Sequence, residues 1–589
     1  MRFLGFVFIL KLAFVAFLFQ FAHAESPPLA TIPGKVADSD KALPSSDNDK
    51  ELRSSDNDIF SRTWPDSTWR QKLELLAIQS GGRVKPFDTF AREGSELLTG
   101  RSTYRGLPAT DFIFSIAVEP QRWQHEKFLK VNHRALKTDL GLAELENQFS
   151  PDQLMKSTRL MPLFQELDAK QKAQEKLDPY FQALQTLGSQ LSFLQEMLNG
   201  RALRLVPHLP GKGVQNGAWL GFTDFPDELK IRFALMAAGF TSPDPATRAK
   251  LSEYVEKFSD LAKSQNPALY PEDKNLGVET MFNKVHPFRW AWIFSLIAAV
   301  VMTFAFYSTA GWLYTSGMVL FGISFVTQAV GFALRCWIAG RPPVTNMYES
   351  VLWVSFGCLL FGLVLEMIYR KRVIALGSLI FATICLIIAD NVSGVLDDGI
   401  HPLEPVLRSN YWLTIHVLTI TLGYAAFAIS LVLGNIGLGQ IAFTGQESKT
   451  LPLKQLAFYS YRAVQVGVIL LAAGTILGGW WADESWGRFW GWDPKETWAL
   501  IALLGYVALL HARFRGMVGP FGFLAGCVSA FMGVLMAWYG VNFVLGVGLH
   551  SYGFSSGGVS YVATYCSAQL LFILWAAMSR KKKSAAAST

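Results

Sequence analysis

Apolar and polar residues are distributed very differently in the two halves of this chain. From residue 288 onward, apolar runs follow one another, each of about twenty residues, the length that a helix needs to cross a bilayer. We predict nine spans, at 288–307, 315–336, 349–369, 373–390, 411–435, 463–479, 496–512, 521–545 and 560–579. The residues before 288 alternate apolar and charged positions and read as a soluble protein. The pattern therefore predicts an all-α polytopic membrane protein with an N-terminal, mostly helical soluble domain.

The N-terminal half divides into three segments. Residues 1–24 are a long apolar run that ends in a small-x-small pattern, which is typical of a secretory signal peptide. Because Lys11 interrupts the run, an uncleaved anchor stays as the alternative, and in either case the following residues are predicted to be exported. Residues 25–64, rich in Ser, Asp and Pro, read as a disordered linker. Residues 65–285 show helical spacing of apolar residues and predict the exported soluble domain.

The charge of the chain is concentrated in the membrane half. Residues 288–589 contain 18 Lys and Arg against 11 Asp and Glu, which accounts for the net charge of +7. With the soluble domain outside, 12 of those 18 basic residues flank the inner ends of the spans. This asymmetry follows the positive-inside rule, so the basic charge indicates the orientation of the helices and not a nucleic-acid partner. We expect the chain in a bacterial inner membrane. The asymmetry predicts a periplasmic soluble domain and a cytoplasmic tail at 580–589.

One stretch between the sixth and seventh spans is unusually rich in tryptophan. The segment "GGWWADESWGRFWGWDPKETWAL", residues 478–500, contains six of the 18 tryptophans of the chain. An aromatic belt at the membrane boundary would explain two or three of them. Six rings within one outer loop, interrupted by charged residues, favour a platform for a large planar ligand.

Three histidines indicate what that ligand is. His416 lies near the outer end of the fifth span and His550 just past the outer end of the eighth, on the side of the tryptophan-rich loop. His511 lies near the inner end of the seventh span. A single histidine near a helix end is usually a hydrogen-bonding boundary residue, and we read His401 in this way. Two histidines flanking one aromatic loop favour axial ligation of haem iron.

Four segments carry a specific resemblance. "WGRFWGWDPKETWAL", "RSNYWLTIHV", "GVGLHSYG" and "GRPPVTNMYES" resemble cytochrome c biogenesis proteins of the CcsA/ResC family, which have a WWD-type haem-handling domain. The resemblance spans roughly residues 315–560. It implies a transmembrane haem-handling domain at 288–579 with a WWD-type loop at 480–498. It also implies that His416, His550 and His511 are ligands of the iron of haem b.

The remaining residues of the predicted site lie in the tryptophan-rich loop. We predict that Trp486, Trp490 and Trp492 pack on the porphyrin and that Asp493 belongs to the same site. Asp493 also reads as the N-cap of the seventh span, with a proline at the first helical position. Arg488 and Lys495 are candidates to pair either with haem propionates or with neighbouring acids.

The resemblance implies a role in the System II pathway. Haem would be moved across the membrane and attached to an apocytochrome c that carries a C-x-x-C-H motif. In fused versions of the system a ResB-like part supplies a second intramembrane histidine, and its lack here implies a separate ResB-like partner. We predict no catalytic nucleophile, and whether this chain is itself the enzyme of a holocytochrome c synthase (haem lyase) complex stays open. The alternatives are a haem exporter or delivery chaperone without ligase activity, a dihaem cytochrome b, and a permease.

Overall fold

The computed structural model describes residues 59–587 apart from several gaps. The gaps are residues 61, 63, 65–66, 174, 176, 209–217, 393–395, 403–409 and 546–557. The predicted signal peptide at 1–24 and most of the predicted linker at 25–64 lie outside the described residues. The described chain separates into two compact units, the first ending at Lys284 and the second beginning at Val285.

The first unit is mostly helical, with four short antiparallel hairpins. Its helices are α1 (Thr68–Glu74), α2 (Phe87–Thr99), α3 (Ala109–Val118), α4 (Pro120–Trp123), α5 (Arg134–Asp139), α6 (Pro151–Met155), α7 (Leu160–Lys172), α8 (Pro179–Leu198), α9 (Asp227–Thr241), α10 (Pro245–Ala249), α11 (Leu251–Gln265) and α12 (Asp273–Val285). The hairpins pair β1 (Ala77–Ser80) with β2 (Arg83–Pro86), β3 (Thr103–Tyr104) with β4 (Leu107–Pro108), β5 (Leu129–Lys130) with β6 (Gln148–Phe149), and β7 (Val206–Pro207) with β8 (Trp219–Leu220).

The first hairpin depends on two glycines. Gly81 and Gly82, which join β1 to β2, both have positive φ, of 60° and 79°. A two-residue turn with positive φ at both positions suits the right-handed twist of an antiparallel pair and is strained for residues with a Cβ. The core of the unit is aromatic, and its fully buried rings include Trp69, Phe87, Phe112, Trp123, Phe240 and Phe258.

Buried charges tie the first hairpin and α2 to α12. Arg83 donates two hydrogen bonds to Glu279, of 2.8 and 2.7 Å, and the Thr89 hydroxyl donates a third of 2.7 Å. The amide of Asn283 donates to Asp88 at 2.9 Å. Because α12 directly precedes the membrane helices, this network fixes the last element of the first unit.

The second unit consists of nine long helices that cover the nine predicted spans. They are α13 (Pro287–Tyr307), α14 (Gly311–Ala339), α15 (Met347–Tyr369), α16 (Val373–Asn391), α17 (Asn410–Thr444), α18 (Leu453–Trp486), α19 (Pro494–Phe514), α20 (Pro520–Leu535, continued by the π-helix Met536–Leu545) and α21 (Val559–Ala587). Within the described residues, nine helices are long and apolar enough to cross a membrane, so the predicted span count is confirmed. Several helices extend past the predicted spans, because a helix can continue beyond the hydrocarbon core.

Most of these helices follow one another through short connections, which makes neighbours antiparallel and puts their ends in two layers. We call the layer in which α18 ends and α19 begins the tryptophan end. At the opposite end, the fully buried Glu366 closes the turn between α15 and α16. Its carboxylate accepts hydrogen bonds from Tyr314 Oη at 3.1 Å and from the backbone N–H groups of Arg372 and Ala375 at 2.7 and 3.2 Å.

Candidate functional site

The tryptophan-rich segment is mainly helical, in contrast to the predicted loop at 480–498. Helix α18 continues to Trp486 and ends at Gly487, whose φ of 72° and N–H bond to Asp483 O form a left-handed helix end. Helix α19 begins at Pro494, so the non-helical connection is limited to residues 487–493. The six tryptophans are therefore distributed over the last turns of α18 (Trp480, Trp481, Trp486), the connection (Trp490, Trp492) and the first turns of α19 (Trp498).

His416 lies two turns into α17 and is 8% exposed. Its Nδ1 lies 2.9 Å from the carbonyl oxygen of Trp412, one turn earlier in the same helix. Because a carbonyl only accepts, Nδ1 carries the proton, and in the neutral ring Nε2 then carries the lone pair. The ring also lies against Trp481 of α18, with centroids 5.1 Å apart and planes 30° apart. Two helices therefore set the orientation of this imidazole.

The Trp481 ring that contacts His416 is one of four indole rings on α17 and α18, which we call the indole cluster: Trp412, Trp480, Trp481 and Trp486. Trp481 is completely buried, and Trp486 meets it edge-on with centroids 4.6 Å apart. Trp412 lies near Trp480, at 5.6 Å and 32°. The sequence reasoning did not assign Trp412 or Trp481 to the site. The signal for Trp412 is its spacing of four residues before His416, which puts both on one helix face.

Trp490 and Trp492 form a separate perpendicular pair. Their centroids are 5.8 Å apart and their planes are 90° apart. Trp492 is 69% exposed and has a φ of 57°, a conformation that is strained for a bulky side chain. Two perpendicular rings cannot both lie flat on one planar ligand. Trp486, Trp490 and Trp492 therefore do not form a single flat face in this structure.

Asp493 begins helix α19. Its Oδ1 accepts the N–H of Lys495 at 3.0 Å, and Glu496 Oε2 accepts the N–H of Asp493 at 3.2 Å in return. This capping box, with Pro494 in the first turn, confirms the predicted N-cap. Glu496 Oε2 also accepts the N–H of Gly491 at 2.8 Å, which orders the connection between the two helices.

The two cations of the segment have different partners. Arg488 Nη1 lies 3.0 Å from Glu496 Oε1, and its guanidinium lies 5.6 Å from the Trp486 ring. Arg488 therefore pairs with a neighbouring acid, one of the two alternatives that the sequence left open. Lys495 Nζ donates to the neutral amide oxygen of Asn542 in the π-helix at 3.1 Å.

His511 is not brought next to His416. His511 lies near the opposite end of α19, and the 17 residues from Pro494 correspond to about 25 Å along a helix. Its Nδ1 lies 2.8 Å from Val507 O, and its side chain is exposed. His550 lies outside the described residues. His401 is an exposed loop residue whose hydrogen bond lowers the pKa of Asp397.

Comparisons with known proteins identify a matching family model and several relatives. A family model described as Cytochrome C assembly protein matches residues 344–550. Protein NrfI of Wolinella succinogenes is 28% identical over 502 residues, which cover 81% of this chain and 54% of NrfI. The chain thus spans about half the length of NrfI. Among solved structures, Cytochrome c Heme Lyase CcmF matches with a TM-score of 0.36 and 15% identity, over 50% of each chain.

Two cyanobacterial relatives are matched over most of their own length. Cytochrome c biogenesis protein CcsA of Synechococcus sp. strain CC9902 is 36% identical over 251 residues, 37% of this chain and 81% of that protein. CcsA of Prochlorococcus marinus strain NATL2A is 34% identical over 301 residues, 45% of this chain and 92% of that protein. The nine apolar helices and this similarity identify an integral membrane protein. The chain therefore belongs to the CcsA family of cytochrome c biogenesis proteins, as its motifs predict.

Proposed function

We propose that this protein moves haem to the periplasmic face of the membrane and takes part in its covalent attachment to apocytochrome c. The proposal rests on one observation, the fixed orientation of the His416 imidazole. Its Nδ1 donates a hydrogen bond to the carbonyl oxygen of Trp412, and its ring lies against Trp481. Metal-ligating histidines characteristically donate their second nitrogen to a carbonyl or carboxylate, which fixes the tautomer and the ring orientation. The indole cluster next to this imidazole suits a flat apolar porphyrin.

In the proposed outer site, His416 and His550 ligate the iron of haem b from its two faces. Two nitrogen ligands favour a low-spin iron and occupy the positions at which oxygen would bind. Trp486, Trp490 and Trp492 contribute the aromatic contacts. Trp492, the most exposed of the three, is the ring best presented to an incoming porphyrin. Asp493 contributes indirectly, because its capping box sets where the connection ends.

Lys495 is the better candidate for a haem propionate. The positive charge of Arg488 is already balanced by Glu496 at 3.0 Å. Lys495 instead donates to the neutral Asn542, so its ammonium group retains donors that suit a carboxylate. An ammonium at the start of α19 would hold the propionate edge of the haem near the indole cluster.

His511 is proposed to ligate haem on its way from the cytoplasm. The exposed face of α19 carries His511 together with Ile501 and Leu504, which are 45% and 56% exposed. Facing lipid alone, a polar ring at this depth would be costly, and polar groups in spans normally face protein or a cavity. A second membrane protein covering this face removes that cost. We infer that this partner is ResB-like and supplies the other iron ligand.

The attachment step itself needs little chemistry from this chain. Each of two cysteine thiols of the C-x-x-C-H segment adds across one haem vinyl group, so the S–H proton and the sulfur both end on the former double bond. Nothing leaves, and no protein nucleophile is consumed. The contribution of this chain is to hold the haem in one orientation against the apocytochrome, which favours reaction through proximity.

The proposed arrangement puts the N-terminal domain and the haem site on one side of the membrane. Residues 1–24 serve as the export signal, residues 25–64 as a linker, residues 65–285 as a periplasmic domain and residues 580–589 as a cytoplasmic tail. The membrane domain at 288–579 and the WWD-type segment at 480–498 handle haem within this arrangement.

Co-expression tests the proposal directly. The chain would be expressed with a ResB-like protein and an apocytochrome c, and covalent haem would be measured on denaturing gels by peroxidase staining. We expect haem attachment only when both membrane proteins are present. Bound haem without any attachment would favour an exporter or delivery chaperone. A purified complex with no haem absorption at all would overturn the proposal.

A further inference from the structure

A fully buried ion cluster lies at the tryptophan end, where α14 ends and α15 begins. The carboxylate of Glu349 lies between two guanidinium groups, with Oε1 3.0 Å from Arg335 Nε and Oε2 3.4 Å from Arg341 Nη1. The side chains of Glu349, Arg335 and Arg341 are 0%, 1% and 7% exposed. Thr345 adds two hydrogen bonds to Oε2, from its N–H at 2.8 Å and its hydroxyl at 3.0 Å.

The two arginines hold the segment at residues 396–402, which precedes α17 along the chain. Arg335 donates to Asp398 O at 2.9 Å and to Gly399 O at 3.0 Å. Arg341 donates to His401 O at 2.8 Å. Three backbone carbonyls of one segment are therefore bonded to guanidinium groups that Glu349 neutralises.

The start of α15 also contacts two further elements of the candidate site. Trp353 Nε1 donates to Leu418 O of α17 at 3.2 Å, two residues beyond His416. Ser350 Oγ accepts the N–H of Trp538 at 2.9 Å, and Trp538 belongs to the π-helix that also bonds Lys495. One helix terminus thus connects the 396–402 segment, the His416 helix and the π-helix.

A contribution to stability does not by itself explain why these three charged groups are buried. Burying three charged groups costs desolvation energy, and well-packed apolar residues often stabilise a core equally well. Ions with defined hydrogen bonds, in contrast, select one arrangement of the groups they touch. Here the groups touched belong to the 396–402 segment and to the start of α15, which itself bonds α17 and the π-helix.

We propose that Glu349, held between Arg335 and Arg341, is a positioning residue for the His416 site. Through it, the start of α15 is fixed to the 396–402 segment and to α17 at Leu418, so that the imidazole has one position relative to the indole cluster. This inference rests on the proposed function of His416 as an iron ligand.

The test compares two carboxylates of the same helix. Glu349→Gln keeps the size of the side chain but leaves the two guanidinium groups without their counter-charge. Glu366→Gln is the matched control, because Glu366 is also fully buried in α15 but closes the turn at the opposite end. Both variants would be purified as full chains, titrated with haem, and examined by visible spectroscopy and thermal unfolding.

We expect Glu349→Gln to weaken haem binding roughly 10- to 100-fold, as changes to residues that orient a metal ligand do, and to reduce the low-spin spectrum. Added imidazole should restore part of that spectrum, because the defect lies in the position of the ligand. Glu366→Gln should bind haem like the unchanged protein. Equal losses in both variants, or no loss in Glu349→Gln, would overturn the inference.

A milder variant covers the case in which Glu349→Gln does not fold. Asn346 caps α15 by accepting the N–H of Glu349 at 2.8 Å, and its amide donates to Asp397 O at 3.1 Å. Asn346→Asp keeps the cap but loses the donor. A smaller spectral shift in the same direction supports the inference, and an unchanged spectrum contradicts it.

His416→Ala separates this inference from the proposed function. If His416→Ala binds haem normally, the proposed function itself fails. If His416→Ala loses haem while Glu349→Gln and Asn346→Asp do not, only the positioning role fails.

Discussion

The imidazole of His416 lies against the indole of Trp481, with ring centroids 5.1 Å apart and planes 30° apart. His416 belongs to α17 and Trp481 to the last turns of α18, so this contact joins two membrane helices. A hydrogen bond to Trp412 O holds the same imidazole from its own helix. The ring is therefore oriented by the protein's own groups, which lowers the ordering cost of binding a ligand.

Replacing His416 by Ala should weaken haem binding and shift the visible spectrum away from the low-spin form with two nitrogen ligands. His550→Ala should act in the same way. Because both changes leave the indole rings in place, free imidazole should partly restore the spectrum. The measurement is a visible spectrum of each purified variant, together with a stain for covalent haem on a co-expressed cytochrome.

His401→Ala is the control for these histidine variants. His401 is an exposed loop residue that pairs with Asp397, so its loss should leave haem binding unchanged. Normal cytochrome maturation by a variant lacking both His416 and His550 would show that these two residues are not the axial ligands of the haem iron. An effect of His401→Ala as large as theirs would mean that His401 is a member of the pair.

Trp492→Ala should lower haem affinity by about ten-fold, because a stacked aromatic ring contributes its buried area and roughly 0.5–1.5 kcal/mol beyond it. The melting temperature should change little, since the ring is 69% exposed. Trp312→Ala is a closely matched control, because Trp312 is also 69% exposed but starts α14 at the opposite end of the unit. Both variants would be titrated with haem to compare their affinities. Equal losses of haem affinity would argue against a specific role for Trp492.

His511→Ala should reduce the haem that copurifies with the complex of this chain and a ResB-like partner. The isolated chain should capture little haem from the cytoplasm, because one imidazole supplies one of two axial ligands. Arg515→Ala, at the C-cap of α19 four residues after His511, serves as the control. Full haem loading and cytochrome maturation by the isolated chain would contradict the need for a partner.

Reporter fusions test the proposed orientation. A reporter after Thr589 should report a cytoplasmic location, and one inserted at Gly487, in the exposed turn after α18, a periplasmic one. The basic residues predicted outside are largely bonded within the protein: Arg289 to Asp390, Arg335 and Arg341 to Glu349, Arg488 to Glu496 and Lys495 to Asn542. A periplasmic C-terminus would contradict the proposed orientation and, with it, the periplasmic location of the haem site.

The sequence predicted those parts of the fold that depend on local patterns. Apolar run length predicts the spans, and Asp493 followed by Pro494 predicts the start of α19, because both features act within one helix. The ring contact between His416 and Trp481 and the pairing of Arg335 with Glu349 join residues far apart in the chain. Such contacts depend on how helices pack, which residue spacing along a single helix does not determine.

Glu279→Ala tests whether the network between β2 and α12 holds the first unit together. Glu279 accepts two hydrogen bonds from Arg83 and one from Thr89, and its side chain is 6% exposed. Its removal takes away the carboxylate that accepts both of these bonds from the largely buried Arg83 guanidinium, and breaking such a pair costs about 3–5 kcal/mol. We expect the unit to unfold roughly 10 °C lower, measured by protease cleavage within residues 59–284 as the purified full chain is heated. Glu253→Ala, whose pair with Lys257 is exposed on both sides, should change the unfolding temperature little. Similar shifts in the two variants would show that the buried network contributes no more than a surface ion pair.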